Sequence, residues 1–311
     1  MTILVTGGAG YIGSWVTKLL LNSGYQVVVL DNLSHGYKEN VDPRAKFIVG
    51  DISDSKKTKE ALKGVDAVIH MAGLIVVPES VKDPVKYTQN NVLGTVSLLE
   101  SMKEAGVKKI IFSSSACVYG TPDKLPIAED APLHPDNPYG ATKAAIEAFL
   151  QAFHANFSFD VTILRYFNPY GPGKLAPPIT HAIPNFITAT LAKKPIPLYW
   201  KGEQIRDFIY IEDLAQAHVD VLSLSGFNVF NLGMEKGVKV KDVVEMIFDI
   251  VGYKVPIDNL GKRPGDVSAN YASSEKLKKA VGWRAKVYLK ECLRRTIKYY
   301  SSSFSQLQST T

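Results

Sequence analysis

Residues 1–13 read Met1-Thr2-Ile3-Leu4-Val5-Thr6-Gly7-Gly8-Ala9-Gly10-Tyr11-Ile12-Gly13, and this stretch decides the fold. Ile3-Leu4-Val5 is a short apolar strand, and Tyr11 to Leu21 has the make-up of a helix. Between them Gly8, Gly10 and Gly13 satisfy G-x-G-x-x-G, and Gly7 adds a second, overlapping spacing. One glycine allows the sharp turn from strand to helix, the next lets the backbone approach a pyrophosphate, and the third lets the helix pack closely on the strand. The helix N-terminus adds free N–H groups and a partial positive charge suited to phosphates. Glycines also collect in ordinary turns, so the strand–turn–helix setting gives this motif its meaning. A second strand, Gln26 to Leu30, ends in Asp31, 18 residues after Gly13. That is close to the spacing at which an acid receives the adenosine ribose hydroxyls of a dinucleotide. A carboxylate there accepts hydrogen bonds from a 2′-hydroxyl and repels a 2′-phosphate. No Arg follows in Asn32-Leu33-Ser34, so NAD is expected over NADP.

Outward from this turn, strands and helices keep alternating. Ala45–Val49 reads as a strand ending at Gly50-Asp51, and Ala67-Val68-Ile69 as another ending at His70-Met71-Ala72-Gly73. A long amphipathic helix is expected from about Val85 to Ala105, with Val92, Val96, Leu99 and Met102 near helical spacing. Lys109 to Phe112 is a fifth strand running into Ser113-Ser114-Ser115, and Val161–Leu164 a sixth. Such alternation implies an α/β fold with a doubly wound parallel (Rossmann) sheet. Ligands of such sheets bind beyond the carboxyl ends of the strands, where Asp31, Asp51, Ala72 and the serines lie. The 311 residues suit two lobes. We expect a cofactor-binding domain over 1–167 and a smaller, mixed α/β substrate domain over 168–311, with a segment near 208–235 returning to the first lobe. Residues 301–311 are polar and read as a frayed tail.

Composition narrows the partners. The chain is 46% hydrophobic and 21% charged, ordinary for a globular protein. It holds no apolar run of membrane-spanning length and no signal-peptide pattern, so no membrane partner is expected. Cys117 and Cys292 are its only cysteines; neither a metal site nor a disulfide framework is suggested, and a cytoplasmic setting is expected. The net charge of +6 is scattered, with no basic stripe interleaved with aromatics, which argues against a nucleic-acid partner and suits a phosphate-bearing substrate.

Tyr-x-x-x-Lys occurs twice, as Tyr139/Lys143 and as Tyr170/Lys174. The second encloses Gly171-Pro172-Gly173 and cannot form a helical turn. The first follows Asn137-Pro138, a cap and first helical position, and opens a helix running to about Phe157. Residues four apart on a helix face the same way, which places Lys143 beside Tyr139. A phenol with its ordinary pKa of about 10 is a poor base at neutral pH; a neighbouring ammonium and a cationic nicotinamide both favour the phenolate. The pair reads as a base for moving a proton at a carbon that also exchanges hydride. A serine hydroxyl ending the strand beside the cofactor can hydrogen-bond the oxygen that becomes a carbonyl. Two of the three serines are equally suited to capping a polar turn.

The motifs together carry a resemblance. TGGAGYIGS, DNLS, HMAG, NNVLGT, SSSACVYG, YGATK, RYFNPYG, RDFIYIEDL and RPGD span nearly the whole chain. With them the chain resembles the extended short-chain dehydrogenases/reductases, and among these the epimerases of UDP-hexoses. Related dehydratases carry an Asp-Glu pair where this chain has Ala116 and Cys117, which cannot protonate a leaving hydroxyl. The resemblance implies reversible C4 epimerisation of UDP-glucose and UDP-galactose through a transient 4-keto sugar, with NAD kept bound and regenerated. It implies a catalytic set of Ser115, Tyr139 and Lys143. It implies cofactor contacts from Gly7, Gly10, Tyr11, Ile12, Gly13, Asp31, Asn32, Asp51, Ile52, Met71, Ala72, Gly73, Asn90, Ser113, Tyr139, Lys143, Tyr166 and Phe167. On the substrate side it implies Ser115 and Tyr139 at the sugar, Asn168, Arg206 and Arg263 at the diphosphate, Asp266 at the uridine ribose, and Asn270 near the sugar's 2-substituent. A homodimer through the helices near 92–105 and 140–156 is the family's expectation. Two departures stand out: Ile75 follows Leu74 where a Lys is frequent, and Phe208 replaces a frequent Tyr. Three other readings remain: an epimerase of another nucleotide sugar (UDP-N-acetylglucosamine or a UDP-uronic acid), a dehydrogenase that releases NADH, and an idle NAD-binding protein.

Overall fold

The structure, a computed structural model, describes residues 1–177, 179–262, 267–286 and 288–308. Its strands are Thr2–Thr6 (β1), Gln26–Asp31 (β2), Lys46–Val49 (β3), Ala67–His70 (β4), Lys109–Ser115 (β5), Asp160–Tyr166 (β6), Asn168–Tyr170 (β7), Ile196–Leu198 (β8), Ile205–Tyr210 (β9), Phe227–Leu232 (β10), Gly237–Lys239 (β11), Ile257–Asn259 (β12) and Ala269–Asn270 (β13). Seven of them form one parallel sheet in the order β10-β6-β5-β4-β1-β2-β3. The chain winds outward from β1 in both directions, so strand order reverses between β1 and β4, where doubly wound sheets open a crevice for ligands.

The winding follows from the strands' apolar runs. Alternation along β1 sends Leu4 to one face with Val68, Ile110 and Val161, and Ile3 and Val5 to the other with Ile69, Ile111 and Leu164. A strand apolar on both faces must be covered twice, as in a parallel sheet sandwiched by helices. Helices Ser55–Ala61, Gly94–Ala105 and Pro138–Phe157 add to the first layer, and Tyr11–Asn22 and Ile211–Asp220 to the second. β10 joins the sheet in register with β6, from Phe227 opposite Val161 to Leu232 opposite Tyr166.

The chain between β6 and β10, together with the chain after β10, builds a second layer of structure. β9 pairs with β11, β13 and β7, in a four-stranded sheet. Its apolar core gathers Tyr170, Phe186, Phe208, Val243 and Leu293 from β7, β9 and helices Ala182–Leu191, Val240–Val251 and Leu289–Gln308.

Two expected elements differ. The expected continuous helix from Val85 is Pro84–Tyr87, then a π-helical turn over Thr88–Leu93, then Gly94–Ala105. The wider turn sets Asn91 where its amide can hold the backbone of Leu74 and the hydroxyl of Thr142, while neighbouring Asn90 faces the cleft described below. The fifth strand also runs past Phe112: β5 continues through Ser115, opposite Tyr166 of β6, and Ser115 then caps the short helical turn Ala116–Val118.

Candidate active site

One continuous cleft of about 720 Å³ runs across the carboxyl ends of the sheet and on between the two layers. All the expected site residues that lie among the described ones line it, from Gly7 to Asn270. Arg263 and Asp266 lie outside the described residues.

The first end is the glycine turn. Gly7 has φ +73°, and a Cβ there would sit 2.8 Å from the backbone nitrogen of Ala72. A Cβ on Gly13 would sit 2.2 Å from the carbonyl oxygen of Gly7. The helix Tyr11–Asn22 that follows has no side-chain cap and no acidic residue in its first turn, so its N–H groups face the cleft ready for an anion. Asp31 closes this end: its carboxylate accepts from Ala9 N at 3.0 Å and Leu33 N at 2.8 Å, and burial raises its pKa against the pull of those two donors. Asn32 donates to Asp51 at 2.7 Å. The uncapped N–H groups suit a diphosphate over the turn, and the Asp31 carboxylate suits the hydroxyls of a ribose.

The middle of the cleft is built on β5 and the helix Pro138–Phe157. Asn137 caps that helix, its side-chain oxygen accepting from Gly140 N at 2.9 Å, and Pro138 occupies the first position. Strand alternation sorts the serines. All three serines border the cleft, and they differ in where their hydroxyls bond. Ser114 turns to the other face and donates to Glu147 at 2.5 Å; Glu147 is also held by Arg165 at 2.6 Å, and both ends of that ion pair are buried. Ser115 accepts from Cys117 N at 3.2 Å and hydrogen-bonds the Tyr139 phenol.

The electrostatics differ from the spacing argument in one respect. Tyr139 is buried, and desolvation drives its pKa well above the ordinary phenol value, only partly offset by the Ser115 hydrogen bond. Lys143 does lie on the same face, with Nζ 5.9 Å from the Tyr139 ring centroid, but it donates to the Ser113 carbonyl at 2.7 Å. Burial lowers its pKa to about 8, with Glu147 opposing. The expected phenolate is therefore not produced by the lysine alone: both partners are desolvated, which disfavours either charge.

The far end lies on β9. Gln204, Arg206 and Phe208 line the cleft at every second position, while Asp207 and Ile209 are buried away from it. Asp207 gives its carboxylate to the N–H groups of Met234, Ala272 and Glu235 at 2.6, 3.1 and 3.2 Å. Asn270 pairs with Arg206 across β13 and β9. Gln204 Oε1 and Asn270 Oδ1 are buried with no hydrogen-bond partner among the described residues, as befits groups that meet a polar ligand. Gln204 escaped the motif reading, although two-residue alternation back from Arg206 reaches it. Asn168 donates to the Asp207 carbonyl at 2.9 Å, and Ile75 is 41% exposed at the cleft mouth. Tyr170, by contrast, is buried against Phe208 and Tyr210 and contributes nothing to the lining.

Among the described residues no group of three or more His, Cys, Asp or Glu could hold a metal, and no helix is long and apolar enough to cross a membrane.

A glycine turn with an uncapped helix, opposite a Ser–Tyr–Lys cluster on one crevice, defines a dinucleotide-dependent enzyme class. The chain belongs to the NAD dependent epimerase/dehydratase family, whose model matches residues 3–233. It is 40% identical to a UDP-glucose 4-epimerase of Bacillus subtilis (strain 168), over 99% of each chain. A UDP-glucose 4-epimerase of Bifidobacterium longum, solved in complex with NAD+ and UDP, superposes with a TM-score of 0.91 at 34% identity, covering 97% of this chain and 98% of that one. A UDP-N-acetylglucosamine 4-epimerase of Methanobrevibacter ruminantium M1, solved with UDP-N-acetylmuramic acid, matches with the same TM-score of 0.91, at 34% identity and with 97% and 98% coverage.

Proposed function

We propose that the chain is an NAD-dependent isomerase that interconverts UDP-glucose and UDP-galactose by inversion at C4. NAD, which the glycine turn and Asp31 would hold, would supply the hydride acceptor and donor at the sugar carbon. Tyr139 takes the proton of the 4-hydroxyl and returns it. Ser115, bonded to that phenol, orients it and hydrogen-bonds the sugar oxygen. Lys143, held by the Ser113 carbonyl, places a cation near Tyr139, and Phe167 would wall the reacting ring. Arg206 and Asn168, with Arg263, hold the diphosphate, for which a guanidinium fork is suited; Asp266 takes the uridine ribose. The observation that carries this reading is the Ser115–Tyr139–Lys143 cluster on the same cleft as the uncapped glycine turn. Ala116 and Cys117 follow Ser115 without a carboxylate, which favours epimerisation over loss of water.

The test is incubation with UDP-glucose and, separately, UDP-galactose. Both should reach the same mixture with no net NADH. Stoichiometric NADH would make the chain a dehydrogenase, and no conversion at all would leave it an NAD-binding protein. Asp31→Ala should weaken NAD and narrow its preference over NADP; equal affinity of the natural protein for the two would remove Asp31 as the selector.

A second reading concerns the sugar. The buried, unpartnered Asn270 Oδ1 favours a site that also accepts an acetamido N–H, and so UDP-N-acetylglucosamine. Asn270→Tyr should depress kcat/KM for the N-acetyl sugar far more than for UDP-galactose; equal loss on both would eliminate the gate. Exposed Leu93 and Phe149, 59% and 41% accessible, support pairing of two copies of the chain through these helices, measurable by light scattering. Cys117 and Cys292 form no disulfide, which suits a reducing cytoplasm.

A further inference from the structure

From Ser113 a chain of buried side chains leads back to His218, and it takes no part in the reaction drawn above. The Ser113 hydroxyl meets the Tyr166 hydroxyl at 2.5 Å. The Tyr166 hydroxyl meets His218 Nε2. His218 Nδ1 lies 2.9 Å from the carbonyl oxygen of Leu214. The three side chains come from β5, β6 and helix Ile211–Asp220. His218 is wholly buried, while Ser113 and Tyr166 reach the cleft.

The far end of this chain fixes the direction of every proton in it. A carbonyl oxygen only accepts, so the hydrogen of the imidazole sits on Nδ1. Burial lowers the His218 pKa to about 4, so the ring is neutral and Nε2 keeps its lone pair. Tyr166 must then donate to His218, and it has no second hydrogen to give. Ser113 in turn must donate to the Tyr166 oxygen. What remains at Ser113 for the cleft is a lone pair.

We propose that His218 is a positioning residue that makes Ser113 a hydrogen-bond acceptor toward the cleft, so that this part of the site selects a ligand group with an N–H, the carboxamide of the nicotinamide ring. The inference rests on the cofactor reading above. Ser113 lies two residues before Ser115 on the same strand face, and its carbonyl receives Lys143. It therefore borders the place where a ring reacting beside Tyr139 must lie. Reversing the chain, so that Ser113 donates, would favour an acceptor there instead.

The test compares NAD with its 3-acetylpyridine analogue, which keeps the carbonyl and lacks the N–H. Each is used to displace labelled NAD from the full chain. The natural protein should bind NAD roughly 3- to 10-fold more tightly than the analogue, the range of a single hydrogen bond. In His218→Phe, Tyr166 has no acceptor, its hydrogen turns to Ser113, and the ratio should fall to about one. His218→Gln, whose amide oxygen can accept from Tyr166, should restore the ratio. Should His218→Phe not fold, Tyr166→Phe frees the Ser113 hydrogen by another route and should lower the ratio in the same way. A ratio unchanged in His218→Phe or Tyr166→Phe, with both affinities falling together, would reduce the chain to packing and overturn the proposal. Equal binding of the two by the natural protein would overturn it while leaving the cofactor reading intact; failure to bind either would overturn both.

Discussion

Tyr139/Lys143 and Tyr170/Lys174 share a spacing and almost nothing else. Asn137 and Pro138 start a helix under the first pair, and the helix carries both side chains to one face of the cleft. The second pair encloses Gly171 and Gly173, with φ +153° and +152°, and its side chains part company. Tyr170 enters the core of the second sheet, and Lys174 lies 4.0 Å over the Tyr37 ring and 3.7 Å from Glu39. Four residues of separation mean proximity only where the backbone is helical. Even there, proximity is not chemistry: Tyr139 owes its surroundings to Ser115, which reaches it from another element.

The sharpest way to break this contrast is the base itself. Tyr139→Phe should lower kcat by about 10²–10⁴-fold, the usual worth of general base catalysis, with NAD still bound. Near-normal turnover in that variant would leave the first pair no more catalytic than the second.

What could be read in advance follows the range of the interactions involved. The glycine turn, the strand ending in Asp31 and the capped helix at Asn137 are local patterns, and they stand where expected. The π turn at Thr88–Leu93 depends on Asn91 meeting Leu74 and Thr142, contacts 17 and 51 residues away, so helical periodicity passes straight over it. Ser113–Ser115 extend β5 because β6 lies alongside. Gln204 and the chain to His218 were hidden for the same reason: strand alternation and a tautomer count only once neighbours are known. Burial of Tyr139 and Lys143 is equally non-local, which is why the desolvation that opposes the simple charge argument could not be read from spacing.

Lys143 and Lys174 sharpen the comparison at the next level. The Lys143 ammonium is buried at the cleft where NAD is proposed to lie, so Lys143→Met should weaken NAD roughly tenfold or more, as expected for a charge-assisted hydrogen bond. Lys174→Met should leave it within experimental error, its charge being half-exposed and screened. The sign of the pH dependence follows from burial. With its pKa lowered to about 8, Lys143 carries its proton below that value and loses it above. NAD affinity of the natural protein should therefore decline as pH rises through about 8, and this decline should vanish in Lys143→Met. A pH-independent affinity in the natural protein would mean that the ammonium does not meet the cofactor.

The smallest expected effect falls on the second tyrosine. Tyr170 is 1% exposed, and its hydroxyl is paired with the Cys292 thiol between β7 and helix Leu289–Gln308. Burial drives the pKa of the phenol far up and that of the thiol to about 12, so both stay neutral; burial raises the Tyr139 phenol too, but Tyr139 lines the cleft and Tyr170 does not, so no substrate proton can reach Tyr170. Tyr170→Phe keeps the ring against Phe208 and Tyr210 and removes one neutral hydrogen bond. It should cost about 0.5–1.5 kcal/mol in a denaturant titration, with kcat and KM for the sugar close to natural. The ring also packs on Phe208, which lines the cleft, so a change in KM alone would mark a shift of that wall. A loss of kcat approaching that of Tyr139→Phe would show that a tyrosine outside the cleft controls the chemistry, and the contrast between the two pairs would fail.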